Sequence, residues 1–266
     1  MASKINHVAI LSGNFALESR FYEACFGMKT SPRSRPTRAV SIGDGYVGMN
    51  INPRRAGRPA RLDHFGIQVD DLDATVARIQ SKYPECEILK RPSTRPFVEL
   101  GNHDPDGNIF DLSRAKSDKL QDIYAHNDWQ ADRFVSHIGI RTLNPEACAA
   151  YYIEMLDLKP ANLPIEKAYG VTDGRVTLIL MPWDIRDYAN TAIAGPGLDY
   201  IGFKVEDLEK FKEDVQKAGD ANPLLTPAPV GTGAAGKARL EQFQRTSLGS
   251  WHLADPDGVL LDIVVA

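Results

Sequence analysis

The chain contains the same tight-turn sequence twice, once in each half. The stretch HDPDGNIFDL ends at Leu112, and the stretch ADPDGVLLDI ends at Ile263. In each copy, Asp side chains can close the turn and Gly can adopt a positive φ. A strand-like run with a further acid, Asp111 or Asp262, follows each turn. Such a repeat indicates a duplicated fold, and it constrains the architecture more than any single motif does.

The repeat extends over whole structural units. The stretches KINHVAILSGNFALESRFYEACFGMK and FVSHIGIRTLNPEACAAYYIEMLDLK each predict a strand, a loop and an amphipathic helix. A second pair, LDHFGIQVDDLDATVARI and LDYIGFKVEDLEKFKEDV, repeats the pattern. Short strand-like runs with Gly-Asp-Gly, Asp-Pro-Asp-Gly or Thr-Asp-Gly turns follow the helices. The sequence therefore predicts four units, each with a strand, a helix and a few antiparallel strands.

A polar stretch without apolar periodicity, Ala115 to Asp132, separates the second unit from the third. We therefore predict two α+β domains, residues 1–118 and residues 133–266, each containing two units. A composition of 43% hydrophobic and 25% charged residues is typical of a soluble globular protein.

Charge and hydropathy exclude several classes of partner. A formal net charge of −4 argues against nucleic acid as a partner. No apolar run reaches the roughly 18 residues of a membrane span, and the N-terminus does not resemble a signal peptide. The odd number and wide spacing of Cys25, Cys86 and Cys148 favour a reducing compartment over a disulfide framework. We therefore expect a cytoplasmic protein without a nucleic acid or membrane partner.

Four such units, with His in the first strand and Asp-Pro-Asp-Gly-Asn before a last strand, resemble the vicinal oxygen chelate superfamily. This superfamily includes glyoxalase I, type I extradiol dioxygenases, methylmalonyl-CoA epimerase and the fosfomycin and bleomycin resistance proteins. The resemblance covers nearly the whole chain, and the four-unit length is most similar to the extradiol dioxygenases. It implies four βαβββ modules paired into two half-open barrel domains, with metal ligands on the first and last strands. Because one scaffold carries many reactions, the fold follows more directly than the activity.

The resemblance also implies two sets of candidate ligands. Superposition of the modules gives the first-strand positions His7, His64, His137 and Tyr200, and the last-strand positions Met49, Asp111, Leu178 and Asp262. The N-terminal metal set is then His7, His64 and Asp111, and the alternative C-terminal set is His137, Tyr200 and Asp262. Two imidazoles and a carboxylate are typical of non-haem Fe(II) oxygenases and leave three positions for substrate and O₂. Fe(II) is favoured, and Mn(II), Zn(II), Ni(II) or Co(II) would accept the same ligands.

Several features leave alternatives open. Met49 takes the fourth family position, which is Glu or Gln in glyoxalase-like and epimerase-like members, and so favours a three-ligand, dioxygenase-like site. The family carboxylate is usually Glu where this chain has Asp111, and Tyr200 stands where a two-domain extradiol dioxygenase would have His. If modules two and three pair instead, as in hydroquinone-type dioxygenases, the metal set becomes His64, Asp111 and His137.

Other residues are candidates for accessory roles. In extradiol-like enzymes a His or Tyr near the metal acts as acid or base, so His103, His252 and Tyr46 are catalytic candidates, although structural roles are commoner at such positions. The basic run from Leu89 to Pro96 would attract an acidic substrate or form a solvated loop. The stretch from Gly231 to Phe243 lacks phosphate-loop spacing and is predicted to be a flexible insertion that could cover a cleft.

The sequence therefore predicts a metal-dependent enzyme that binds a small molecule through two vicinal oxygens. The favoured activity is extradiol-type ring cleavage of a catechol-like substrate. One alternative is a glyoxalase-like or epimerase-like lyase or isomerase that stabilises an enediolate on the metal. Another is a metal-free binding protein similar to the bleomycin-resistance proteins. A homo-oligomer is compatible with the sequence.

Overall fold

The computed structural model describes residues 3–32, 38–92, 98–114 and 130–266. Within these residues the chain forms two open sheets with helices packed on them, which confirms the predicted α+β fold of βαβββ modules. Most of the predicted linker, residues 115–129, lies outside the described residues, and the domain bounds stay a prediction. In the described ranges, no helix combines the length and the apolar character needed to cross a membrane.

Modules one and two share the first sheet. Its strands are β1 (Lys4–Ser12), β2 (Lys29–Thr30), β3 (Val40–Gly43), β4 (Gly48–Pro53), β5 (Arg61–Val69), β6 (Leu89–Lys90), β7 (Leu100–His103) and β8 (Ile109–Arg114). The order across the sheet is β2-β3-β4-β1-β5-β8-β7-β6. The first strands β1 and β5 lie antiparallel at the centre, and β4 and β8 flank them in parallel. The helices of these modules are α1 (Phe15–Phe26) and α2 (Leu72–Lys82).

Modules three and four share the second sheet. Its strands are β9 (Phe134–Thr142), β10 (Lys159–Ala161), β11 (Tyr169–Thr172), β12 (Thr177–Pro182), β13 (Gly197–Val205), β14 (Trp251–Ala254) and β15 (Leu260–Val265). The order is β10-β11-β12-β9-β13-β15-β14, so the centre again pairs two first strands. The helices are α3 (Pro145–Leu156), α4 (Ile185–Thr191), α5 (Leu208–Ala221) and α6 (Gly233–Arg245). The sheets therefore do not adopt the alternative pairing of modules two and three.

Side-chain caps begin all four module helices at equivalent positions, which are Asn14 for α1, Asp71 for α2, Asn144 for α3 and Asp207 for α5. In each case the side-chain oxygen accepts a hydrogen bond from the backbone N–H three residues later. This bond satisfies a donor that the first helical turn leaves free. The repeat thus determines where the helices begin as well as how the strands pair.

Two turn aspartates tie each half to the other. Asp44, in the Gly-Asp-Gly turn, and Asp173, in the Thr-Asp-Gly turn, each accept two backbone N–H groups of their own turn. Each also accepts a backbone N–H at the start of the central strand of the opposite half. Val135 donates to Asp44 and Ile5 donates to Asp173, both at 2.8 Å. The same carboxylate therefore closes a turn and positions a strand of the other half.

The two Asp-Pro-Asp-Gly turns make a second reciprocal pair of contacts. The first Asp of each turn accepts the hydroxyl proton of a tyrosine from the other half, Tyr152 to Asp104 at 3.0 Å and Tyr22 to Asp255 at 2.8 Å. The second Asp accepts a backbone N–H just before the same helix, the pairs being Asn144 with Asp106 and Gly13 with Asp257. Each copy of the turn therefore binds the first helix of the opposite half and the residue just before it.

Aromatic side chains fill the space between the halves. Phe26 of α1 stacks on Phe203 of β13 with ring centroids 3.9 Å apart. Phe110 of β8 contacts Tyr152 of α3 with centroids 5.7 Å apart. All four rings are buried, and complete burial of such a side chain contributes about 1.5–3 kcal/mol. Helices α1 and α3 therefore belong to the core of the opposite half as well as to their own.

Glu18 of α1 is buried against one of these turns. Burial, followed by the adjacent carboxylate of Asp255, raises the pKa of Glu18 to about 10. Burial also raises the pKa of Asp255, to about 6. Glu18 is therefore protonated at neutral pH and donates a hydrogen bond to Asp255.

Replacing Glu18 by Gln is expected to stabilise the protein at alkaline pH. An acid with a raised folded-state pKa contributes stability that is full below its unfolded pKa and is lost as the pH rises toward the folded value. For Glu18 this window runs from 4.5 to about 10. Because Gln donates a similar hydrogen bond without titrating, the Tm of Glu18→Gln should exceed that of the wild type at pH 9 by at least ~3 °C and by less at pH 5. The same Tm difference at both pH values would contradict a protonated Glu18.

Candidate metal centre

The N-terminal cleft brings together the three side chains of the first predicted ligand set. His7 lies on β1, His64 on β5 and Asp111 on β8, which are adjacent strands. One ligand atom from each side chain lies within 4.8 Å of the others, and no second such group of His, Cys, Asp and Glu occurs among the described residues. The set of His64, Asp111 and His137, which would follow from pairing modules two and three, is not assembled. His137 lies in the other sheet and is hydrogen bonded to Asp262.

Both imidazoles direct the same ring nitrogen toward the carboxylate. Nε2 of His64 lies 3.2 Å, and Nε2 of His7 lies 3.8 Å, from Oδ2 of Asp111. The opposite nitrogens are held by oxygens, with Nδ1 of His7 2.9 Å from Oδ1 of Asn6 and Nδ1 of His64 2.9 Å from Oδ2 of Asp63. Because both oxygens are acceptors, each Nδ1 carries a proton, and each Nε2 is the ring nitrogen directed toward the carboxylate and toward a metal between them.

The charges of these groups are strongly coupled. Burial, and then the charge of His64, lowers the pKa of His7 to about 3. For His64, burial opposes protonation, but the hydrogen bonds to Asp111 and Asp63 outweigh it and raise the pKa to about 9. Burial likewise opposes ionisation of Asp111, yet its hydrogen bond with His64 holds the pKa of that carboxyl below its usual value. Since ligand nitrogens must be deprotonated, a bound cation would take the place of the His64 proton.

Glycines opposite the ligands give them room. Gly66 pairs with both His7 and Asp111, and a Cβ at Gly66 would lie 1.9 Å from Cε1 of His7. Gly101 pairs with Asp111 across β7 and β8, and a Cβ there would lie 2.6 Å from Nε of Arg91. The Arg91 side chain crosses this gap and places Nη2 3.1 Å from Oδ1 of Asp111. Arg91 thus holds one carboxylate oxygen, and the other faces the two imidazoles.

The prediction that Met49 takes the fourth ligand position is wrong by one residue. Successive side chains of a strand point to opposite faces of the sheet. Met49 pairs with Val8, and both side chains are fully buried in the apolar core. The next residue, Asn50, lines the cleft instead.

Strand register identifies Asn50 as the counterpart of Asp111. Asp111 pairs with Gly66, which is the second residue after the first-strand His of its module. Asn50 pairs with Ala9, which is likewise the second residue after the first-strand His. The side-chain oxygen of Asn50 accepts a hydrogen bond from the hydroxyl of Ser41 at 3.3 Å. The fourth position therefore holds a neutral amide where the family position would hold an acid or Gln.

The C-terminal ligand set is engaged by protein hydrogen bonds. Nε2 of His137 lies 2.8 Å from Oδ2 of Asp262. The same carboxylate accepts the backbone N–H groups of Leu248 and Gly249, and Nε2 of His252 lies 3.3 Å from its Oδ1. These bonds occupy both carboxylate oxygens, so His137 and Asp262 meet as a structural pair.

Apolar side chains fill the rest of the C-terminal cleft. Tyr200 donates its hydroxyl to the backbone oxygen of Thr246 at 2.8 Å and packs against Phe243, with centroids 5.0 Å apart. Phe243 belongs to α6, so the stretch predicted as a flexible insertion is a helix whose aromatic side chain closes this cleft. Ile179, at the position equivalent to Asn50, lies in the same apolar cluster. In this structure the members of the alternative metal set, His137, Tyr200 and Asp262, are thus bound to other protein groups in a cleft filled by side chains.

The three predicted acid or base residues do not line the N-terminal cleft. Backbone groups engage both ring nitrogens of His103, at 3.1 and 2.8 Å. Tyr46 donates its hydroxyl to Asp173 at 3.1 Å, at the contact between the halves. His252 belongs to the C-terminal hydrogen-bond network. All three side chains therefore make contacts away from the candidate metal centre, and their catalytic roles stay predictions.

Among the described residues, five arginines line the N-terminal cleft, and most of them were not predicted from the sequence. The cleft has a volume of about 470 Å³, within the usual size range of small-molecule sites. The lining arginines are Arg38, Arg55, Arg58, Arg61 and Arg91. The stretch PRRAGRPAR could have indicated them, because its four arginines directly precede or begin the strand that carries His64. The predicted basic run contributes Arg91, while its residues 93–96 lie outside the described residues.

Comparisons with known proteins point to one family. A family model described as Glyoxalase/Bleomycin resistance protein/Dioxygenase superfamily matches residues 4–112, which contain the three candidate ligands. The uncharacterized protein YaeR of Escherichia coli (strain K12) is 31% identical over 122 residues, which are 41% of this chain and 94% of that protein. The matched part of this relative thus corresponds to less than half of the present chain.

Solved structures share the two-sheet fold at low sequence identity. A Mn(II)-bound glyoxalase from Novosphingobium aromaticivorans has a TM-score of 0.65 at 14% identity, covering 98% of this chain and 81% of that chain. A variant of homoprotocatechuate 2,3-dioxygenase from B. fuscum has a TM-score of 0.62 at 14% identity, covering 98% and 70%. A mutant of 4-hydroxymandelate synthase from Streptomyces coelicolor has a TM-score of 0.62 at 14% identity, covering 99% and 92%. At these identities the likeness concerns the fold alone.

Replacing Gly66 by Ala is expected to displace His7 and to lower metal content at least ~tenfold, because 1.9 Å is far below van der Waals contact. Gly202→Ala is the matched control, since a Cβ at Gly202 would also lie 1.9 Å from Cε1 of its own histidine, His137. Both variants should lose stability, but the control should keep its metal. Elemental analysis after Mn(II) loading and dialysis measures the difference. Equal metal loss in both variants would contradict a site confined to the N-terminal cleft.

Proposed function

The chain belongs to the Glyoxalase/Bleomycin resistance protein/Dioxygenase superfamily, and from this membership we propose that it is a metal-dependent enzyme. The ligands are His7, His64 and Asp111. The observation that carries the proposal is the orientation of the two histidines, whose Nε2 atoms face one carboxylate oxygen while oxygens hold both Nδ1 atoms. Two histidines with a purely structural role would not need both Nε2 atoms to face the same carboxylate oxygen of Asp111.

The donor set suits a divalent transition metal. Two neutral imidazoles and one carboxylate fit Fe(II) and Mn(II), and they also accept Zn(II), Ni(II) or Co(II). Arg91 holds Oδ1 of Asp111, so this carboxylate offers the ion a single oxygen. Asp63 fixes the ring orientation of His64, as oxygen partners commonly do for ligating histidines. When bound, the ion would act as a Lewis acid on two vicinal substrate oxygens and, as Fe(II), would also activate O₂.

The favoured activity is extradiol-type ring cleavage of a catechol-like substrate. Three protein ligands leave three coordination positions, enough for two substrate oxygens and O₂. The apolar side chains of Leu11, Val98 and Ile109 line the same cleft and provide a surface for an aromatic ring. Asn50 is neutral, and its side-chain oxygen is already hydrogen bonded to Ser41. These features support a three-ligand site, although strand register places Asn50 at the fourth position.

A second candidate activity follows from that same placement. If the amide oxygen of Asn50 ligates the metal, the site has four protein ligands and room for only the two substrate oxygens. Such a site suits a glyoxalase-like or epimerase-like lyase or isomerase, which stabilises an enediolate and needs no O₂. The third candidate, a metal-free binding protein, would use the same cleft without an ion.

His64→Ala is expected to abolish metal binding. Protein purified without a metal-affinity step and loaded anaerobically with Fe(II) or Mn(II) should hold about one equivalent per chain, and the variant should hold less than about a tenth of that. His103→Ala is the control, because His103 lies outside the cleft and should leave the metal content unchanged. Elemental mass spectrometry provides the measurement. A wild type that binds neither metal would leave only the metal-free binding protein.

Asn50→Ala separates the two enzymatic candidates. For a three-ligand dioxygenase, the variant should keep its iron within about twofold and still consume O₂ with a catechol. For a four-ligand site, the loss of one ligand should weaken metal binding at least ~tenfold. We expect the first result, measured by Fe(II) titration and an oxygen electrode. Iron loss without any O₂ uptake by the wild type would favour the lyase or isomerase.

A further inference from the structure

Positive charge is concentrated at the N-terminal cleft of an acidic protein. The chain has a formal net charge of −4, yet four exposed arginines line one cleft beside the ligand set. Arg38, Arg55, Arg58 and Arg61 form an arginine cluster at the entrance of this cleft. The acids that line the cleft are Asp63 and Asp111, and both are already engaged by His64. The field at the entrance therefore favours an anion.

The loop between β4 and β5 places some of its arginines in the cleft and leaves another outside it. The backbone N–H of Arg54 donates to the carbonyl of Ser12 at 2.8 Å, and that of Arg58 donates to the carbonyl of Arg55 at 3.0 Å. Gly57 between them has a φ of 76°, which glycine adopts without strain. The resulting turn places Arg55 and Arg58 in the cleft lining, whereas Arg54 of the same connection is not part of that lining.

The arginine cluster has little internal charge compensation. In the part of the chain that the structure describes, the guanidinium groups of Arg38, Arg55 and Arg58 have no hydrogen bond or ion pair. Asp63 lies 4.0 Å from Arg61 and also interacts with the charge of Arg58, so this one carboxylate, already hydrogen bonded to His64, is shared by two arginines. Like charges gathered in this way repel one another, and a bound dianion would relieve that repulsion.

The positive charges at the entrance of the cleft belong to arginines, which favour particular anions. The described lining contains arginines and no lysine. A guanidinium presents a planar fork of N–H donors that matches the oxygens of a carboxylate or phosphate, whereas an ammonium acts as a point charge. Several forks around one opening can surround a group with three acceptor oxygens. A planar carboxylate would engage fewer of them.

We propose that the arginine cluster is an anion subsite that binds a phosphate or similar dianionic group of the substrate. The inference rests on the proposed function, because the other end of the substrate carries the vicinal oxygens that bind the ion. A volume of about 470 Å³ accommodates a small molecule with both parts. The substrate class is therefore a phosphorylated small molecule with two adjacent oxygens, and a plain catechol would occupy only the inner part of the cleft.

Phenyl phosphate is a suitable probe, because it has the dianion and the ring but no vicinal oxygens to chelate a metal. Isothermal titration of metal-free protein should show saturable binding of one equivalent to the wild type and weaker binding of benzoate. Arg55→Gln/Arg58→Gln should weaken phenyl phosphate binding at least ~tenfold, since charge-assisted hydrogen bonds are lost. Arg54→Gln, from the same connection but outside the lining, should stay within about twofold of the wild type.

Several outcomes would overturn the subsite. Equal weakening by Arg54→Gln would indicate general surface attraction, and benzoate binding as tight as that of phenyl phosphate would exclude a dianion site. The absence of saturable binding to the wild type would overturn it directly. The substituted arginines are exposed, so the variants should keep the Tm of the wild type.

Mn(II) content, measured on the same proteins, distinguishes failure of the subsite from failure of the proposed function. The arginine variants should retain Mn(II), and His64→Ala should lose it. Mn(II) binding without phenyl phosphate binding would leave the metal centre intact and overturn the subsite alone. If the wild type binds phenyl phosphate but does not bind Mn(II) when the metal is added, the subsite is supported and the proposal of a metal-dependent enzyme is overturned.

Discussion

Four turn carboxylates hold the two halves of this protein together. Asp44, Asp104, Asp173 and Asp255 each accept a donor from their own turn and a donor from the opposite half. A buried carboxylate is costly unless its hydrogen bonds are satisfied, and neither half alone supplies all of them. The central strands and first helices begin beside these contacts. The start of β1, which carries His7, and the turn before β8, which carries Asp111, therefore both contact the other half.

The two sheets have equivalent strand orders, but one cleft is lined by polar side chains and the other is filled by apolar ones. In both sheets a glycine, Gly66 or Gly202, leaves space for the first-strand histidine of the neighbouring module. In the C-terminal sheet, Tyr200 and Ile179 stand where the other cleft has a histidine and an amide, and Phe243 closes the opening. Duplication has thus produced one open polar cleft and one apolar cleft. The second adds buried apolar surface to the protein, while the first retains polar side chains that could bind a ligand.

The sequence predicted the fold and the meeting of His7, His64 and Asp111 because repeated modules align equivalent strands. It failed at Met49, because the final register depends on the hydrogen-bonded ladder and an error of one residue reverses the face. The arginine cluster was not predicted for a different reason. Its members follow no strand or helix period, and the negative net charge of the whole chain gives no indication of a local positive cluster. His103 was a candidate because it stands beside a turn, and at such positions backbone groups engage polar side chains locally, as they do with both ring nitrogens of His103.

The hydrogen bond between Tyr22 and Asp255 joins positions 233 residues apart, and this separation has a consequence for synthesis. Ribosomes add about 5–20 residues per second, so helix α1 is made roughly 10 to 50 seconds before the turn that receives its tyrosine. During this interval the aromatic face of the nascent helix has no native partner in the C-terminal half. Exposed apolar surface of this kind promotes aggregation and chaperone binding. The reciprocal contacts that join the halves of the finished molecule also make its first helix one of the last elements to be completed.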